Sequence, residues 1–205
     1  MDIHSSYLQK KEAIEKRLLE FRQERSEDEI FSELVFCLLT PQSRARNCDK
    51  AVKKLIEKGL LLSGGPEKIR LWLSGVRFSD SKSRYIAEAR KLFHDGSGVK
   101  IKDRLRGDSK QLREWLASNV KGMGYKEASH FLRNIGIGEG LAILDRHIMK
   151  NLAKHNVIDE LPKSLTPKRY LEIEKKMTEF AEKTGIPMGH LDLLFWSEET
   201  GEIFK

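Results

Sequence analysis

Residues 116–150 read LASNVKGMGYKEASHFLRNIGIGEGLAILDRHIMK, and this stretch decides the fold. Its helical periodicity stops at the turn Gly122-Met123-Gly124, where two glycines allow backbone conformations that other residues avoid. A second helix is predicted from Tyr125 to Ile135, with apolar residues on one face, and Gly136 is typical of the position after a helix end. The segment therefore predicts two helices joined by a tight glycine hairpin, at about residues 109–136.

The rest of the chain shows the same helical pattern, and no convincing strand alternation appears in the sequence. Ser26 and Glu29 form a capping-box pattern for another helix, and Thr166-Pro167 is typical of the start of a long one. Ser109 is expected to cap the helix before the hairpin. We therefore expect an all-α protein, with two packed helical subdomains and a cleft between them that form one functional unit over residues 1–205.

Composition narrows the class of protein. Of 205 residues, 39% are hydrophobic and 34% are charged, and 38 basic against 31 acidic residues give a net charge of +7. No stretch approaches the roughly 20 apolar residues of a membrane span, and the amino end lacks the apolar core of a secretion signal. We expect a cytoplasmic protein with no membrane partner. The positive charge favours a polyanionic partner, although a lysine-rich surface explains it equally well.

The cysteines and histidines indicate no metal site. Cys37 lies in the apolar run ELVFCLL, where a buried thiol is the usual role, and Cys48 is the second of only two cysteines. Two thiols cannot ligate a four-cysteine iron–sulfur cluster. His130 and His147 do not form a metal-binding pair, and the HExxH and CxxC patterns are absent from the sequence.

Three features of the hairpin segment could carry chemistry. The amides of Gly122-Met123-Gly124 could bind a phosphate, although such hairpins also occur as ordinary corners. Lys126, in the first turn of its helix, is either a solvated lysine or an amine made nucleophilic by the helix terminus and by desolvation. Asp145 follows the apolar run LAIL and is expected to cap a helix, which would also fix its carboxylate. The 19 residues between them (145 − 126 = 19) are enough chain to bring the two together.

Other candidates are less specific. Trp196 lies in an apolar helix, where a core role competes with that of a base-stacking platform. Four basic side chains could line a groove for nucleic acid or belong to solvated helix faces: Arg44, Arg46, Lys82 and Arg84.

The wording of the hairpin segment, GMGYKEASHFLRNIG followed by LAILDRHI, resembles the helix-hairpin-helix DNA glycosylases that have a catalytic aspartate. More narrowly, it is similar to the archaeal-type 8-oxoguanine DNA glycosylase/lyase family. The amino half, with FSELVFCLLTPQS, and the carboxyl end, HLDLLFWSEETGEIFK, resemble the same family, so the likeness covers essentially the whole chain. The loop after Leu144 departs from the superfamily pattern because it lacks glycine and proline.

The resemblance implies that Lys126 is the nucleophile that forms a Schiff base and that Asp145 is the essential carboxylate. It implies that Gly122, Met123 and Gly124 hold the backbone of double-stranded DNA containing damaged guanine, where a monovalent cation could assist. The cleft would then bind DNA, and the protein would act as a monomer without an iron–sulfur cluster. The family's base pocket corresponds to Trp196 and Lys205, with Asp192 as a further candidate.

The expected reaction is removal of 8-oxoguanine followed by β-elimination. Because the lesion carries an N7–H donor where guanine has an acceptor, an acceptor near Pro41 and Gln42 is one candidate for reading it. Three alternatives stay open: a glycosylase for another damaged base, a non-catalytic DNA-binding module, and a helical protein–protein adaptor.

Overall fold

The computed structural model describes residues 2–205, and within them β-type pairing is confined to one isolated bridge between His94 and Val99. A short 3-10 turn covers Lys102–Arg104. The α-helices are α1 Ile3–Phe21, α2 Glu27–Leu39, α3 Ala45–Glu57, α4 Pro66–Arg70, α5 Ser79–Phe93, α6 Ser109–Asn119, α7 Tyr125–Asn134, α8 Arg146–Lys154, α9 Pro167–Thr184 and α10 Met188–Thr200. The predicted all-α class is confirmed.

The chain divides into two compact units. The central unit is Glu24–Phe131, and the terminal unit combines the chain up to Gln23 with Leu132–Lys205. One boundary falls inside α7, so the helix that follows the hairpin contributes residues to both units. The sequence predicted two helical subdomains.

The core of the central unit is built around α2, which packs against α3 and α5. Its second half, LVFCLL, is buried on all sides, and Cys37 is fully buried as predicted. The predicted capping box is present, since Ser26 Oγ accepts from Glu29 N at 3.2 Å and Glu29 Oε2 accepts from Ser26 N at 2.7 Å. These contacts satisfy amides that the first turn of a helix leaves without partners.

The terminal unit is organised around α10, which packs against α1, α8 and α9. The Tyr7 hydroxyl lies 2.9 Å from His190 Nδ1, and Lys10 Nζ donates to Ser197 Oγ at 2.9 Å. These polar contacts join the first helix of the chain to the last, so the two ends of the sequence belong to one packed unit.

The helix after the hairpin ends at Asn134, one residue before its predicted end, but one predicted cap was wrong. Asp108, not Ser109, caps α6, because the Asp108 carboxylate accepts from the amides of Lys110 and Gln111 at 2.9 and 3.0 Å. Ser109 is already the first helical residue. No helix in the described part of the chain is long and apolar enough to span a membrane.

Candidate active site

The hairpin between α6 and α7 requires glycine at position 122 for two reasons. Val120 O accepts from Met123 N at 3.1 Å, and Gly122 at φ +85° occupies the third position of this turn. A Cβ at Gly122 would lie 2.2 Å from the ring of Tyr85, which packs beneath the turn. Met123 is 4% exposed, so its side chain packs inward.

Two of the three hairpin amides, those of Met123 and Gly124, have partners within the central unit. Met123 N donates to Val120 O, and Gly124 N donates to Glu127 Oε2 at 3.2 Å. The other carboxylate oxygen, Glu127 Oε1, lies 2.9 Å from Lys126 Nζ. Glu127 therefore links the hairpin backbone to the candidate nucleophile. A phosphate can bind the Gly124 amide only when Glu127 releases it.

Lys126 is the second residue of α7, and 23% of its side chain is exposed. This position in the first helical turn is the one predicted from the sequence. The side chain is thus neither fully solvated nor buried, and it forms an ion pair with Glu127. Its amine is therefore accessible to a ligand that displaces Glu127.

The prediction that Lys82 lines a groove or faces solvent was wrong. Lys82 is 3% exposed, and its ammonium donates to Leu39 O and Pro41 O, each at 2.7 Å, and to Ser43 Oγ at 3.1 Å. Burial, with a smaller contribution from the positive charge of Lys126, lowers the pKa of Lys82 to about 8.

A second buried group lies beside Lys82. Burial raises the pKa of the Cys48 thiol to about 11. This thiol also donates to Leu39 O, at 3.2 Å. Because it stays protonated at neutral pH, it acts as a weak donor and not as a nucleophile.

The two candidate recognition residues of the central unit differ in accessibility. The Pro41 carbonyl is directed at Lys82 Nζ, whereas Gln42 is exposed and adopts φ +54°, an uncommon conformation for a residue other than glycine. Arg44, Arg46 and Arg84 are exposed, as their predicted positions on solvated or groove-lining faces require.

In the terminal unit, Asp145 caps α8 as predicted. Its Oδ1 accepts from the amides of His147 and Ile148 at 2.8 and 2.9 Å. The apolar run before it, 141–144, is buried in an irregular conformation. Side chains of α9 satisfy its backbone groups, because Glu174 accepts from Ala142 N at 2.8 Å. The Asp145 carboxylate is therefore held on a rigid segment.

Asp192, on α10, lies buried near Asp145. It is 4% exposed, and its Oδ2 lies 3.2 Å from Arg133 Nη1, although the pair is not aligned as a hydrogen bond. Burial raises the pKa of Asp192, Arg133 opposes this effect and the charge of Asp145 adds to it, so that the pKa is about 6. The Arg133 guanidinium also sits 5.0 Å from the ring centroid of Phe21.

Aromatic rings connect the end of the chain to the neighbourhood of Asp145. The Trp196 ring lies edge-on to His147, with centroids 6.5 Å apart, and 6.4 Å from the ring of Phe204. Trp196 and Lys205 are half-buried, and Phe204 is 9% exposed. Three predicted site residues, Asp145, Asp192 and Trp196, thus belong to one neighbourhood of the terminal unit.

Sequence reasoning missed three groups that support the candidate site residues: Glu127, Tyr85 and Arg133. None of the three had a recognisable sequence signal. The burial of Lys82, which was also missed, could have been inferred from its spacing on α5. Lys82 precedes Ile86, Ala89 and Phe93 on the apolar face of α5, at intervals of four, seven and eleven residues, and all three are buried. The described residues contain no group of three His, Cys, Asp or Glu side chains that could hold a metal ion.

These features define the class of protein. A glycine hairpin between two helices, with a lysine opening the second helix and an aspartate fixed at a later helix terminus, is a helix-hairpin-helix architecture with candidate catalytic groups. Comparison with known proteins defines the class further. Residues 14–186 match the family model for 8-oxoguanine DNA glycosylase.

Curated relatives extend the match to the whole chain. The protein from Fusobacterium nucleatum named 8-oxoguanine DNA glycosylase/AP lyase is 47% identical over 210 aligned residues, covering 100% of this chain and 96% of the relative. A Methanocaldococcus jannaschii protein of the same name is 38% identical, with 95% and 93% of the two chains covered.

Solved structures agree. The crystal structure of the Methanocaldococcus jannaschii enzyme in complex with 15mer DNA containing 8-oxoguanine matches with a TM-score of 0.88 and 36% identity, over 99% of both chains. The Thermotoga maritima 8-oxoguanine DNA glycosylase matches with a TM-score of 0.85 and 37% identity, over 99% of this chain and 96% of that one. This chain belongs to the 8-oxoguanine DNA glycosylase family, as the sequence resemblance predicted.

Proposed function

We propose that this protein is a base-excision-repair enzyme that removes 8-oxoguanine from double-stranded DNA and then cuts the damaged strand by β-elimination. The observation that carries the proposal is Lys126, a partly exposed amine that opens α7 directly after the glycine hairpin in a chain of this family. The net charge of +7 favours association with the phosphate backbone. We propose that one copy of the chain acts alone.

The first step joins enzyme and sugar. The damaged nucleotide must leave the base stack, since no side chain reaches C1′ inside a duplex. A phosphate of the damaged strand, with or without a monovalent cation, competes for the hairpin amides and draws Glu127 away from Gly124 N and Lys126. The neutral Lys126 amine then attacks C1′, the C1′–N9 bond breaks, and the base leaves with the bonding electrons and takes up a proton.

The carboxylate acts during this step. Asp145 stabilises the positive charge that develops on the sugar, because an oriented carboxylate needs no reorganisation during the reaction. Its two hydrogen bonds to the start of α8 hold that orientation. Opening of the sugar ring leaves an imine between C1′ and Lys126 Nζ.

The imine permits strand cleavage. Loss of a proton from C2′ sends electrons toward the imine, and the C3′–O bond breaks with departure of the 3′ phosphate. Hydrolysis of the imine then returns the free Lys126 amine. For the base itself, we propose that Trp196, Lys205, Asp192, Pro41 and Gln42 contribute to recognition, because 8-oxoguanine differs from guanine at N7 and C8.

The test is incubation with duplexes that each carry a different damaged base, followed by borohydride reduction. Wild type should release 8-oxoguanine and form a trapped adduct, and Lys126→Gln should lower both by at least about 1,000-fold because no other amine replaces the nucleophile. Lys175→Gln is the matched control, since Lys175 is an exposed α9 lysine that also faces a glutamate, Glu179, at 3.9 Å. An adduct of normal yield with Lys126→Gln would identify another nucleophile. Preference for another damaged base would reject the proposed substrate.

A further inference from the structure

The turn Thr40–Ser43, which follows α2, has glutamine at a position that normally requires glycine or asparagine. Ser43 N donates to Thr40 O at 2.9 Å, so Pro41 and Gln42 are its central residues. Proline fixes a negative φ at the first central position, and Gln42 has φ +54° at the second. This combination defines a type II turn, in which the second central residue is normally glycine or asparagine. Something outside the turn must therefore stabilise Gln42 in this conformation.

Lys82 supplies that stabilisation. Its three N–H groups meet three acceptors on one side of the turn: Leu39 O, Pro41 O and Ser43 Oγ. Leu39 O is also one of the last carbonyls of α2, which have no partner within the helix and attract a positive charge. The lysine is buried and its donors are used, so it is not available to a ligand.

The contact between Lys82 and Pro41 O fixes the orientation of one peptide group. Types I and II turns differ by a flip of the peptide between their central residues. In a planar trans peptide the C=O and N–H point in opposite directions, so a Pro41 carbonyl held on the buried ammonium directs the Gln42 N–H away from it. Gln42 is exposed.

We propose that Lys82 is a positioning residue that holds this turn in its flipped form, so that the Gln42 N–H donates a hydrogen bond to the extruded base. The inference rests on the proposed function and adds a donor for substrate recognition. 8-Oxoguanine carries a carbonyl oxygen at C8 where guanine has C–H, so a donor directed there favours the lesion. Lys82 itself touches neither the base nor the sugar.

Two reactions of the same protein separate this role from a structural one. Release of 8-oxoguanine needs the base contact, whereas β-elimination at a preformed abasic site has no base to contact. Single-turnover rates for both reactions are measured on Lys82→Met. The expected result is loss of base release by about tenfold or more, with abasic-site cleavage within about threefold of wild type. Equal losses in both reactions would reduce Lys82 to a folding role and overturn the inference.

Arg90 provides a matched control on the same helix. It is partly buried on α5, and its guanidinium donates to Leu61 O at 3.0 Å and Gly64 O at 2.7 Å, so it also holds a loop through backbone carbonyls. Arg90→Met should leave the ratio of the two rates at the wild-type value. A change in that ratio equal to that of Lys82→Met would show that any loosened loop has this effect, and the inference would fail.

A rescue variant tests the turn itself. Glycine adopts positive φ without strain, so adding Gln42→Gly to Lys82→Met should restore the flipped turn and return the rate ratio to within about threefold of wild type. Failure of the rescue would overturn the inference. If wild type releases no 8-oxoguanine, the proposed function fails separately.

Discussion

Each unit places its candidate catalytic residue near a buried residue of the same charge; the pair is positive in the central unit and negative in the terminal unit. In the central unit, Lys126 lies close enough to the buried Lys82 to lower the pKa of that lysine. In the terminal unit, Asp145 lies close enough to the buried Asp192 to raise the pKa of that carboxyl. In each unit the more exposed residue is the one assigned to chemistry, and its buried neighbour of like charge is held by protein groups.

The buried neighbours differ in how they are held. Lys82 donates three hydrogen bonds to oxygen atoms, whereas Asp192 has a guanidinium at 3.2 Å that is not aligned as a hydrogen bond. A buried charge without good hydrogen bonds favours its neutral form. Burial shifts the pKa of both groups toward the neutral form, so both are costly to keep charged. Only in the central unit do hydrogen bonds from the buried charge hold a backbone turn.

Among the variants that compare the two units, we expect the greatest loss of activity at Asp145. Asp145→Asn should lower base release by roughly 100- to 10,000-fold, because an amide cannot stabilise the developing positive charge. Asparagine is a good helix cap, so stability should stay within about 0.5 kcal/mol of wild type, whereas Asp145→Ala should also lose about 1 kcal/mol. Single-turnover kinetics and denaturant unfolding measure the two quantities. Near-normal kinetics would leave Asp145 with a capping role alone.

A second prediction concerns the stability of the glycine hairpin that precedes Lys126. Gly122→Ala should destabilise the central unit by about 2–4 kcal/mol, because it combines a left-handed backbone with a Cβ 2.2 Å from the Tyr85 ring. Gly98→Ala is the control in the same unit, since that glycine has open space around it and no positive φ. Hydrogen exchange of central-unit amides reports the change. Equal protection in both variants would show that Tyr85 does not constrain the hairpin.

The substitution Asp192→Asn tests how much the buried charge of Asp192 destabilises the terminal unit. The folded-state pKa of Asp192, about 6, lies above the ordinary value of 3.8, so this site stabilises the fold fully below pH 3.8 and loses that contribution as the pH rises through 6. A neutral amide avoids the loss. The variant should therefore be more stable than wild type by about 1–3 kcal/mol at pH 7, and the difference should shrink toward pH 4.

Chemical denaturation at several pH values measures this difference. Asp108→Asn is the matched control because it makes the same substitution at an exposed helix-capping carboxylate, where no gain is expected. A destabilised Asp192→Asn at pH 7 would mean that the ion pair with Arg133 outweighs the cost of burying the charge.

Local patterns explain which features were predictable. The hairpin, the position of Lys126 at the start of α7 and the cap by Asp145 depend on neighbours within a few residues, so glycine spacing and helix periodicity were enough to predict them. The contacts of Lys82 with Leu39 and of Arg133 with Asp192 join residues 43 and 59 positions apart (82 − 39; 192 − 133). No local pattern records such pairs. The position of Lys82 on the apolar face of α5 indicated burial but not its partners, and Lys82 was therefore interpreted as lining a groove or facing solvent.

An extension of the chain tests whether Lys205 contributes to base recognition, and the expected change in rate is modest. Phe204 packs against Trp196, so the last residues of the chain are attached to α10. A flexible extension beyond Lys205 should slow release of 8-oxoguanine by about three- to tenfold through crowding of this end, while abasic-site cleavage stays unchanged. The same extension at the amino end is the control. Unchanged kinetics with the carboxyl extension would remove Lys205 from the base contacts and leave lesion recognition in this unit to Trp196 and Asp192.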